Sequence, residues 1–252
     1  MNRFNLIAKN YEEAMTTFPD ARTDYVWLLD KLRLKNNDRV LEISAGTGFL
    51  TEKILDIIKS GELYAQDVSK IALEINKKKN RTKKGIRYYL SSDPELTKLQ
   101  NNYFDKAICL GGFHHIEEQS KILKSIFKKL KVGGIFCIGD FADCSAVQEY
   151  FDNVVHKHTK TGHKGLFLTR SRMINLGRIS GFTSLEVVRT KVPFIFTSKK
   201  NAGRFYKMVH DLDCSVHDSL LFLQKYMGLK QKRKKVIVPM DYIYVKYKKN
   251  HE

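Results

Sequence analysis

The sequence has few cysteines and no long apolar segment. Its four cysteines, Cys109, Cys137, Cys144 and Cys214, do not show the paired spacing of a metal site. We therefore expect reduced thiols and a cytoplasmic protein. No apolar run approaches the roughly 20 residues that span a bilayer, and the first fifteen residues carry charges in every turn. We expect neither a membrane span nor a signal peptide.

Negative charge is also scarce. The 252 residues include 45 Lys and Arg against 27 Asp and Glu, which gives a formal net charge of +18. Such a charge favours an acidic partner, such as nucleic acid, a phosphorylated metabolite, an acidic carrier protein or a membrane surface. Lysine outnumbers arginine nearly three to one, however, whereas phosphate and groove recognition favours arginine. A lysine-rich, solvated surface without a dedicated polyanionic partner is the preferred interpretation.

Short β-rich runs alternate with longer amphipathic runs between Arg39 and Asp140. This alternation is typical of a parallel sheet with helices on both faces. Apolar residues at helical spacing predict helices over Thr51–Lys59, Ile71–Lys79 and Gln119–Leu130. We expect an α/β, doubly wound, mostly parallel seven-stranded sheet with strands at Arg39–Ile43, Glu62–Asp67, Ile86–Leu90, Phe104–Leu110, Gly134–Asp140, Ser184–Arg189 and Met240–Tyr247.

The alternation loosens after Asp140. Helices are predicted over Ala146–His158 and Ser171–Ile179, with a His/Thr/Gly-rich turn at Thr159–Gly165 between them. The segment before the last strand is too long for a hairpin loop, and we interpret it as a helical cap over the sheet edge. It contains amphipathic stretches at Asn201–His210 and Ser219–Met227 and a basic cluster at Lys230–Lys235. We predict one domain over residues 1–252, divided into an N-terminal helical segment (1–35), a cofactor-binding core (36–145), cap segments (146–182 and 190–238) and a last strand (240–248).

The segment Val40–Leu50 reads as a strand, a turn of small residues and the start of a helix. Small residues let the backbone approach a ligand, and a helix N-terminus offers free N–H groups. A dinucleotide-binding fingerprint would need a third glycine where Thr51 stands. The missing glycine argues against a nicotinamide-dependent dehydrogenase.

An acid at the strand end, Glu42, followed by small residues at alternate positions, resembles the first motif of class I (Rossmann-like) S-adenosylmethionine-dependent methyltransferases. The resemblance implies that the turn contacts the methionine part of S-adenosyl-L-methionine and that Glu42 orients its amino group. Ser44 replaces the usual first glycine, which requires a backbone conformation open to a small L-residue.

Further matches follow in the order of the family and cover about the first 140 residues. The resemblance implies that Asp67, at the end of the second strand, accepts the ribose hydroxyls, and that Asp93 receives the adenine amino group. Leu130–Gly134 resembles the family's turn before the fifth strand, with Val132 in place of the usual proline. For an isolated Asp, a helix cap or turn is the alternative role, and for an aromatic such as Tyr11 it is core packing. The candidate cofactor-binding residues are Tyr11, Glu42, Ser44, Ala45, Gly46, Gly48, Asp67, Val68, Ser92, Asp93, Leu110 and Gly111.

Two adjacent histidines follow the fourth strand, where the substrate of this fold is expected. His114 or His115 could act as a general base or bind a polar group of the substrate, since histidine titrates near neutral pH. The alternative is that one packs on Phe113 and the other caps the next helix. Asp140, at the end of the fifth strand, is a further catalytic candidate, with structural capping as its alternative.

Three more histidines, His156, His158 and His163, suggest a metal site at first sight. The first two would lie on different faces of a helix, and no carboxylate or cysteine completes a set of ligands. We therefore expect no metal, and a place for these residues in the rim of the substrate pocket. Neighbouring lysines at 157, 160 and 164 favour an anionic group there.

Three functions are compatible with these features. The favoured one is methyl transfer to a small-molecule acceptor, which could be anionic or carrier-bound, enclosed by the helical cap. The second is an RNA methyltransferase that uses the basic surface, although Leu110–Phe113 lacks the Asn/Asp-Pro-Pro-aromatic signature of base-amino methyltransferases. The third is a cofactor-binding regulatory protein without catalysis, which the Ser44 substitution suggests. The oligomeric state is not predicted.

Overall fold

The computed structural model describes residues 3–251, which form a central β-sheet with helices on both faces. The helices are α1 (Arg3–Thr17), α2 (Val26–Leu32), α3 (Phe49–Leu55), α4 (Lys70–Lys79), α5 (Gln119–Lys129), α6 (Ala146–Tyr150), α7 (Arg170–Ile179), α8 (Lys199–His210) and α9 (Val216–Tyr226). The strands are β1 (Arg39–Ile43), β2 (Glu62–Asp67), β3 (Ile86–Leu90), β4 (Phe104–Leu110), β5 (Leu130–Phe141), β6 (Ser184–Phe196), β7 (Lys230–Lys232) and β8 (Lys235–Lys248).

The sheet has the strand order β3-β2-β1-β4-β5-β8-β6. Neighbouring strands from β3 to β5 pair in parallel, while β8 lies antiparallel between β5 and β6. The short strand β7 pairs only with β8. The predicted doubly wound, mostly parallel seven-stranded sheet is confirmed, with β7 as a small addition.

The two faces of the sheet bury separate cores. Successive residues of β8 alternate between them: Tyr242 and Tyr244 pack with α2 and α3, whereas Ile243 and Val245 pack with α5 and α7. This alternation follows from the two-residue period of a strand. Both faces are apolar because both are covered, and the parallel strands of the sequence therefore read as nearly continuous apolar runs.

The predicted cap segment, residues 190–238, is too long at both ends, and the predicted last strand, residues 240–248, begins too late. Residues 190–196 belong to β6 and residues 235–239 to β8, so the insertion between these strands is shorter than predicted and consists of α8, α9 and the basic hairpin at Lys230–Lys235. Pro193 concealed the extension of β6, because proline usually ends a strand. Here the carbonyl of Pro193 accepts from Thr23, and the N–H of Ile195 donates to Ala21, so this backbone faces the outer edge of the sheet. The missing N–H of Pro193 consequently costs no bond to β8.

The helix predicted over Ala146–His158 also ends early. Helix α6 passes into a π-helical turn, Phe151–Val155, in which the N–H of His156 donates to the carbonyl of Phe151. The chain is irregular from His156, whose imidazole Nδ1 lies 2.9 Å from the carbonyl oxygen of His163. This side-chain contact favours a loop over a continued helix.

Helix α1 lies across one end of the sheet and is tied down on both sides. Ser69 Oγ, at the start of α4, donates to Asn5 Oδ1 at 2.7 Å, and Asn10 Nδ2 donates to Asp211 Oδ1, just after α8, at 2.6 Å. An ion pair of 3.0 Å joins Lys79 to Glu12. Within residues 3–251 no helix is long and apolar enough to cross a bilayer.

Candidate active site

The turn after β1 has the backbone geometry that its small residues predict. Gly46 has φ +56°, its N–H donates to Asp67 Oδ2 at 2.8 Å, and a Cβ built on it would meet no atom within 4 Å. This glycine therefore faces open space. Gly48, with φ +92°, serves a different purpose, because a Cβ there would lie 2.6 Å from Asn76 Oδ1. Among the described residues Gly48 does not line the cavity, so its predicted contact with the cofactor is not supported.

Ser44 takes the left-handed conformation, φ +56°, at the position where the related motif has glycine. Its N–H lies 3.3 Å from Gln66 Oε1. Its side chain is accommodated because the facing residue is Gly112, where a Cβ would come within 2.4 Å of the Ser44 Cβ. Serine can therefore replace the usual glycine at position 44 because Gly112, after β4, leaves room for its side chain. The turn keeps its shape.

Glu42 is buried at the end of β1, where Thr51 Oγ1 donates to its Oε2 at 2.7 Å. Thr51 stands where a dinucleotide-binding motif would have its third glycine. In this protein it is the hydrogen-bond partner of the acid Glu42. Burial, with a smaller contribution from the charge of Asp67, raises the pKa of the Glu42 carboxyl to about 8. A nearby cation would favour the charged form and lower this pKa again.

Arg22 supplies a positive charge on the other side of the same turn. Its guanidinium is buried and paired with Asp24, and it also donates to the hydroxyl of Tyr11. Asp24 is held in turn by the hydroxyl of Tyr242 at 2.7 Å. Arg22 and Glu42 both line a recess of about 40 Å³, which we call the amino-acid recess. A cation and an acid in one recess match the carboxylate and ammonium groups of an α-amino acid.

Asp67 lies beside the turn, as predicted. Its carboxylate accepts from the N–H of Gly46 and, at 2.8 Å, from that of Ser69, and it lines the main cavity. The backbone N–H of Val68 contributes a third hydrogen bond. A carboxylate has about four acceptor positions, so about one remains for a ligand. Thr47 lines the same cavity, and its buried Oγ1 has no hydrogen-bond partner within residues 3–251. A buried hydroxyl without a partner is costly, so Thr47 Oγ1 has a hydrogen bond to offer to a ligand in this cavity.

The predicted adenine contact is different. Asp93 accepts from the N–H groups of Glu95 and Thr97 at 2.8 Å each and from Thr97 Oγ1 at 2.7 Å. These bonds lower the pKa of its carboxyl, as expected for a turn cap. Ser92 is exposed, and in the part of the chain that the structure describes neither residue lines the cavity. The alternative role of Asp93, a turn cap, is the one observed.

One cavity of about 250 Å³ runs from the glycine-rich turn to a chamber beyond β4 and β5. Helix α1 covers it, with Ile7, Ala8 and Tyr11 in the lining, and α8 contributes Tyr206 and His210. Val68, Leu110 and Gly111, which were predicted to contact the cofactor, line it as well, and Ala45 lines the adjoining recess. The predicted cofactor turn and the predicted acceptor residues therefore share one cavity.

His114 and Asp140 form a buried pair at the acceptor end of this cavity. The N–H of His114 donates to Asp140 Oδ2 at 2.8 Å, and its imidazole Nδ1 lies 2.8 Å from Oδ1 of the same carboxylate. Both residues are at most 2% exposed. A carboxylate only accepts hydrogen bonds, so His114 Nδ1 is the donor in this pair, and its Nε2 lies on the opposite side of the ring.

Three further histidines surround His114. His163 Nε2 lies 3.4 Å from His114 Nε2, and the Nδ1 of His115 lies 3.2 Å from the carbonyl oxygen of Lys164. Burial lowers the pKa of His163 to about 2 and that of His210 to about 3, and it lowers the pKa of His115 well below its usual range. These three side chains are consequently neutral at physiological pH. We call His114, His115, His163 and His210 the histidine chamber.

Several of these positions were not predicted. His163 was expected only at the rim, and neither Arg22 nor His210 was a candidate, because loops and helices distant in the chain bring them together. Gly165 also has a role that the sequence did not reveal: a Cβ there would lie 2.7 Å from His114 Cδ2 and 2.9 Å from His163 Cε1. Gly165 comes two residues after His163 in the sequence, and His114 is distant in the chain, so no local signal indicated this close approach.

Comparison with known proteins finds similarity to methyltransferases. A family model described as "Methyltransferase domain" matches residues 41–138. The chain is 33% identical over 109 residues, 42% of its length, to the ubiquinone/menaquinone biosynthesis C-methyltransferase UbiE of Wigglesworthia glossinidia brevipalpis, and covers 44% of that protein. Its identity to the UbiE of Yersinia enterocolitica is 28% over 145 residues, 55% of this chain and 57% of the relative. The chain thus spans about half the length of the curated relatives it matches.

Solved structures agree in fold. The YcgJ protein of Bacillus subtilis superposes with a TM-score of 0.68 at 13% identity, covering 91% of this chain and 99% of that one. Phosphoethanolamine N-methyltransferase 2 of Haemonchus contortus, in complex with S-adenosyl-L-methionine, superposes with a TM-score of 0.66 at 15% identity, covering 97% of this chain and 57% of that one. At these identities the likeness concerns the fold.

Proposed function

We propose that this chain carries a class I (Rossmann-like) S-adenosylmethionine-dependent methyltransferase domain and transfers a methyl group to a small-molecule acceptor held in the histidine chamber. The observation that carries the proposal is the shared cavity: the glycine-rich turn and His114 line one space, covered by α1 and α8. A donor at the turn and an acceptor at the histidines would face each other inside the protein.

The residues of the turn fit S-adenosyl-L-methionine. Glu42 and Arg22 in the amino-acid recess are suited to its ammonium and carboxylate groups, and Asp67 to its ribose hydroxyls. Gly46 leaves open space beside these cofactor groups, and the unpaired hydroxyl of Thr47 offers them a hydrogen bond. When bound, this cofactor supplies an electrophilic methyl group on a sulfonium.

The chain's own contribution would be to exclude water and hold the acceptor in line. Phe141, Phe151 and Tyr242 line the chamber and give it an apolar wall. Asp140 fixes the ring of His114 within that wall, so the polar end of the acceptor would lie beside this imidazole. An acceptor with an apolar or aromatic body and one hydroxyl or amine end fits this arrangement.

The acceptor's chemical identity is not carried over from the relatives. UbiE proteins are C-methyltransferases of quinone biosynthesis by name, and the chain matches them over about half of their length. The basic hairpin at Lys230–Lys235 is exposed and, within the described residues, contributes nothing to the lining of the cavity. A small molecule is therefore favoured over RNA, whose bases would have to pass α1 or α8. The free state of all four cysteines supports a cytoplasmic location as part of this proposal.

Methyl transfer from deuterium-labelled S-adenosylmethionine tests the proposal. Purified protein is incubated separately with the small-molecule fraction and with the RNA of a cell extract, and products are detected by mass spectrometry. We expect a labelled small molecule that is absent with the His114→Ala variant. Label found only in RNA would favour the RNA methyltransferase. Cofactor binding without label in either fraction would favour the non-catalytic regulatory protein.

A further inference from the structure

Ring nitrogens from three histidines converge at the acceptor end of the cavity. One ligand atom each from His114, His115 and His163 lies within 4.8 Å of the others, and the His114 and His163 Nε2 atoms are 3.4 Å apart. In a tetrahedral zinc site with Zn–N bonds of about 2.0–2.1 Å, two nitrogens lie about 3.3–3.4 Å apart. The distance between His114 Nε2 and His163 Nε2 is therefore that of two ligands in such a site, and the third ring lies beside them.

Two of the three rings are held at their other nitrogen. His114 Nδ1 lies 2.8 Å from Asp140 Oδ1, and His115 Nδ1 lies 3.2 Å from the carbonyl oxygen of Lys164. The Nε2 atom of each of these rings is therefore the nitrogen left for a ligand.

The surroundings are those of metal-binding histidines. In such sites the second ring nitrogen of a ligand commonly donates to a carboxylate or a backbone carbonyl, which fixes the ring. Asp140 and the Lys164 carbonyl hold these two positions. Gly165 lets the His114 and His163 rings approach, and His156 fixes the loop through the His163 backbone. The expectation of no metal considered His163 only with His156 and His158, not with these partners.

We propose that His114, His115 and His163 bind one Zn²⁺ ion whose fourth position faces the cavity and takes an anionic oxygen of the methyl acceptor. Three imidazoles without a thiolate suit zinc, and three protein ligands with one open position are typical of catalytic zinc. Asp140 supplies one negative charge beside the site. Arg3 also lines the cavity and adds positive charge near the ring nitrogens, so an anionic fourth ligand is favoured. The role of the ion in holding the acceptor rests on the proposed methyltransferase function.

Zinc binding is measured on the full-length protein after removal of metal by a chelator. We expect one Zn²⁺ per chain in competition with a chromophoric chelator, and X-ray absorption of the zinc-loaded wild type should show three imidazole ligands. His163→Ala should abolish this binding. The exposed His217→Ala is the matched control and should leave it unchanged. Asp140→Asn, which keeps the shape but loses the carboxylate, should weaken zinc about 10- to 100-fold, as for other residues that orient a metal ligand.

Two results would overturn the zinc proposal: zinc binding that is equally strong in His163→Ala, or an absorption spectrum without imidazole ligands. The spectrum needs no variant, so it decides even if His163→Ala does not fold. Titration of the metal-free protein with S-adenosylmethionine separates this proposal from the first. Cofactor binding and methyl transfer that persist without zinc would refute only the proposed role of zinc in holding the acceptor. Zinc binding without any cofactor binding would refute the methyltransferase function.

Discussion

The buried acid Glu42 makes cofactor binding dependent on pH in a defined way. Its carboxyl has a pKa of about 8 in the protein without ligand, so near pH 7 about 90% of it is protonated. Binding of an ammonium group at the amino-acid recess favours the ionised form. Each binding event near pH 7 should therefore release about 0.9 proton from Glu42, falling to about 0.1 near pH 9.

The same reasoning gives the change in affinity. The ionised fraction of Glu42 rises from about 0.1 near pH 7 to about 0.9 near pH 9, so its contribution to cofactor affinity should increase about tenfold over this range. The sign follows from the raised pKa, because protonation of the carboxyl competes with cofactor binding and is lost as the pH rises. Below pH 7 the affinity should continue to fall.

Isothermal titration in buffers of different ionisation enthalpy measures the released protons. The cofactor's own ammonium titrates in the same range, so Glu42→Gln, which keeps the size of the side chain but cannot ionise, is the matched control. We expect the difference in proton release between wild type and variant to be about 0.9 near pH 7. Equal proton release in both proteins, or an affinity ratio that is constant from pH 7 to pH 9, would refute the role of Glu42.

Three further predictions follow from single contacts. Asp67→Ala should weaken S-adenosylmethionine binding about 10- to 100-fold, whereas Asp93→Ala should leave the affinity unchanged because Asp93 caps a turn; calorimetry on both variants compares the two carboxylates directly. Gly165→Ala should destabilise the fold by about 1–3 kcal/mol in denaturant unfolding, since its Cβ would overlap two buried imidazoles, and a variant as stable as the wild type would contradict the packing of the loop. Thr51→Val should destabilise the protein by about 1–3 kcal/mol because it leaves the Glu42 carboxyl without its donor, and unchanged thermal unfolding would argue against that bond.

The sequence was most informative where one local pattern decides the structure. Strands β1 to β4 were predicted with the bounds that are observed, because each is a short apolar run between turn signals. The end of β6 was missed since Pro193 normally excludes a strand, and only its position on the outer edge of the sheet makes it harmless. Edge positions depend on strand order, which no single segment reveals.

The residues of the candidate site fall into the same two groups: those that a local pattern predicts and those that only the fold brings together. Glu42, Gly46 and Asp67 lie in or beside one strand–turn–helix unit, so order and spacing were sufficient to find them. His163, His210 and Arg22 come from a loop, a cap helix and the segment after α1, and only the folded chain brings them to one cavity. Asp93 caps a turn, and its predicted adenine contact stays a prediction, because aspartate caps turns as readily as it binds ligands and spacing alone does not separate these roles.

The central claim is that one cavity holds the cofactor at the glycine-rich turn and the acceptor at the histidines. A crystal structure with S-adenosylhomocysteine bound tests it most directly. The claim predicts the amino-acid end in the recess of Glu42 and Arg22, the ribose hydroxyls at Asp67, and the sulfur directed toward His114. A ligand bound in the reverse direction, with its adenine among the histidines, or bound outside this cavity, would contradict it.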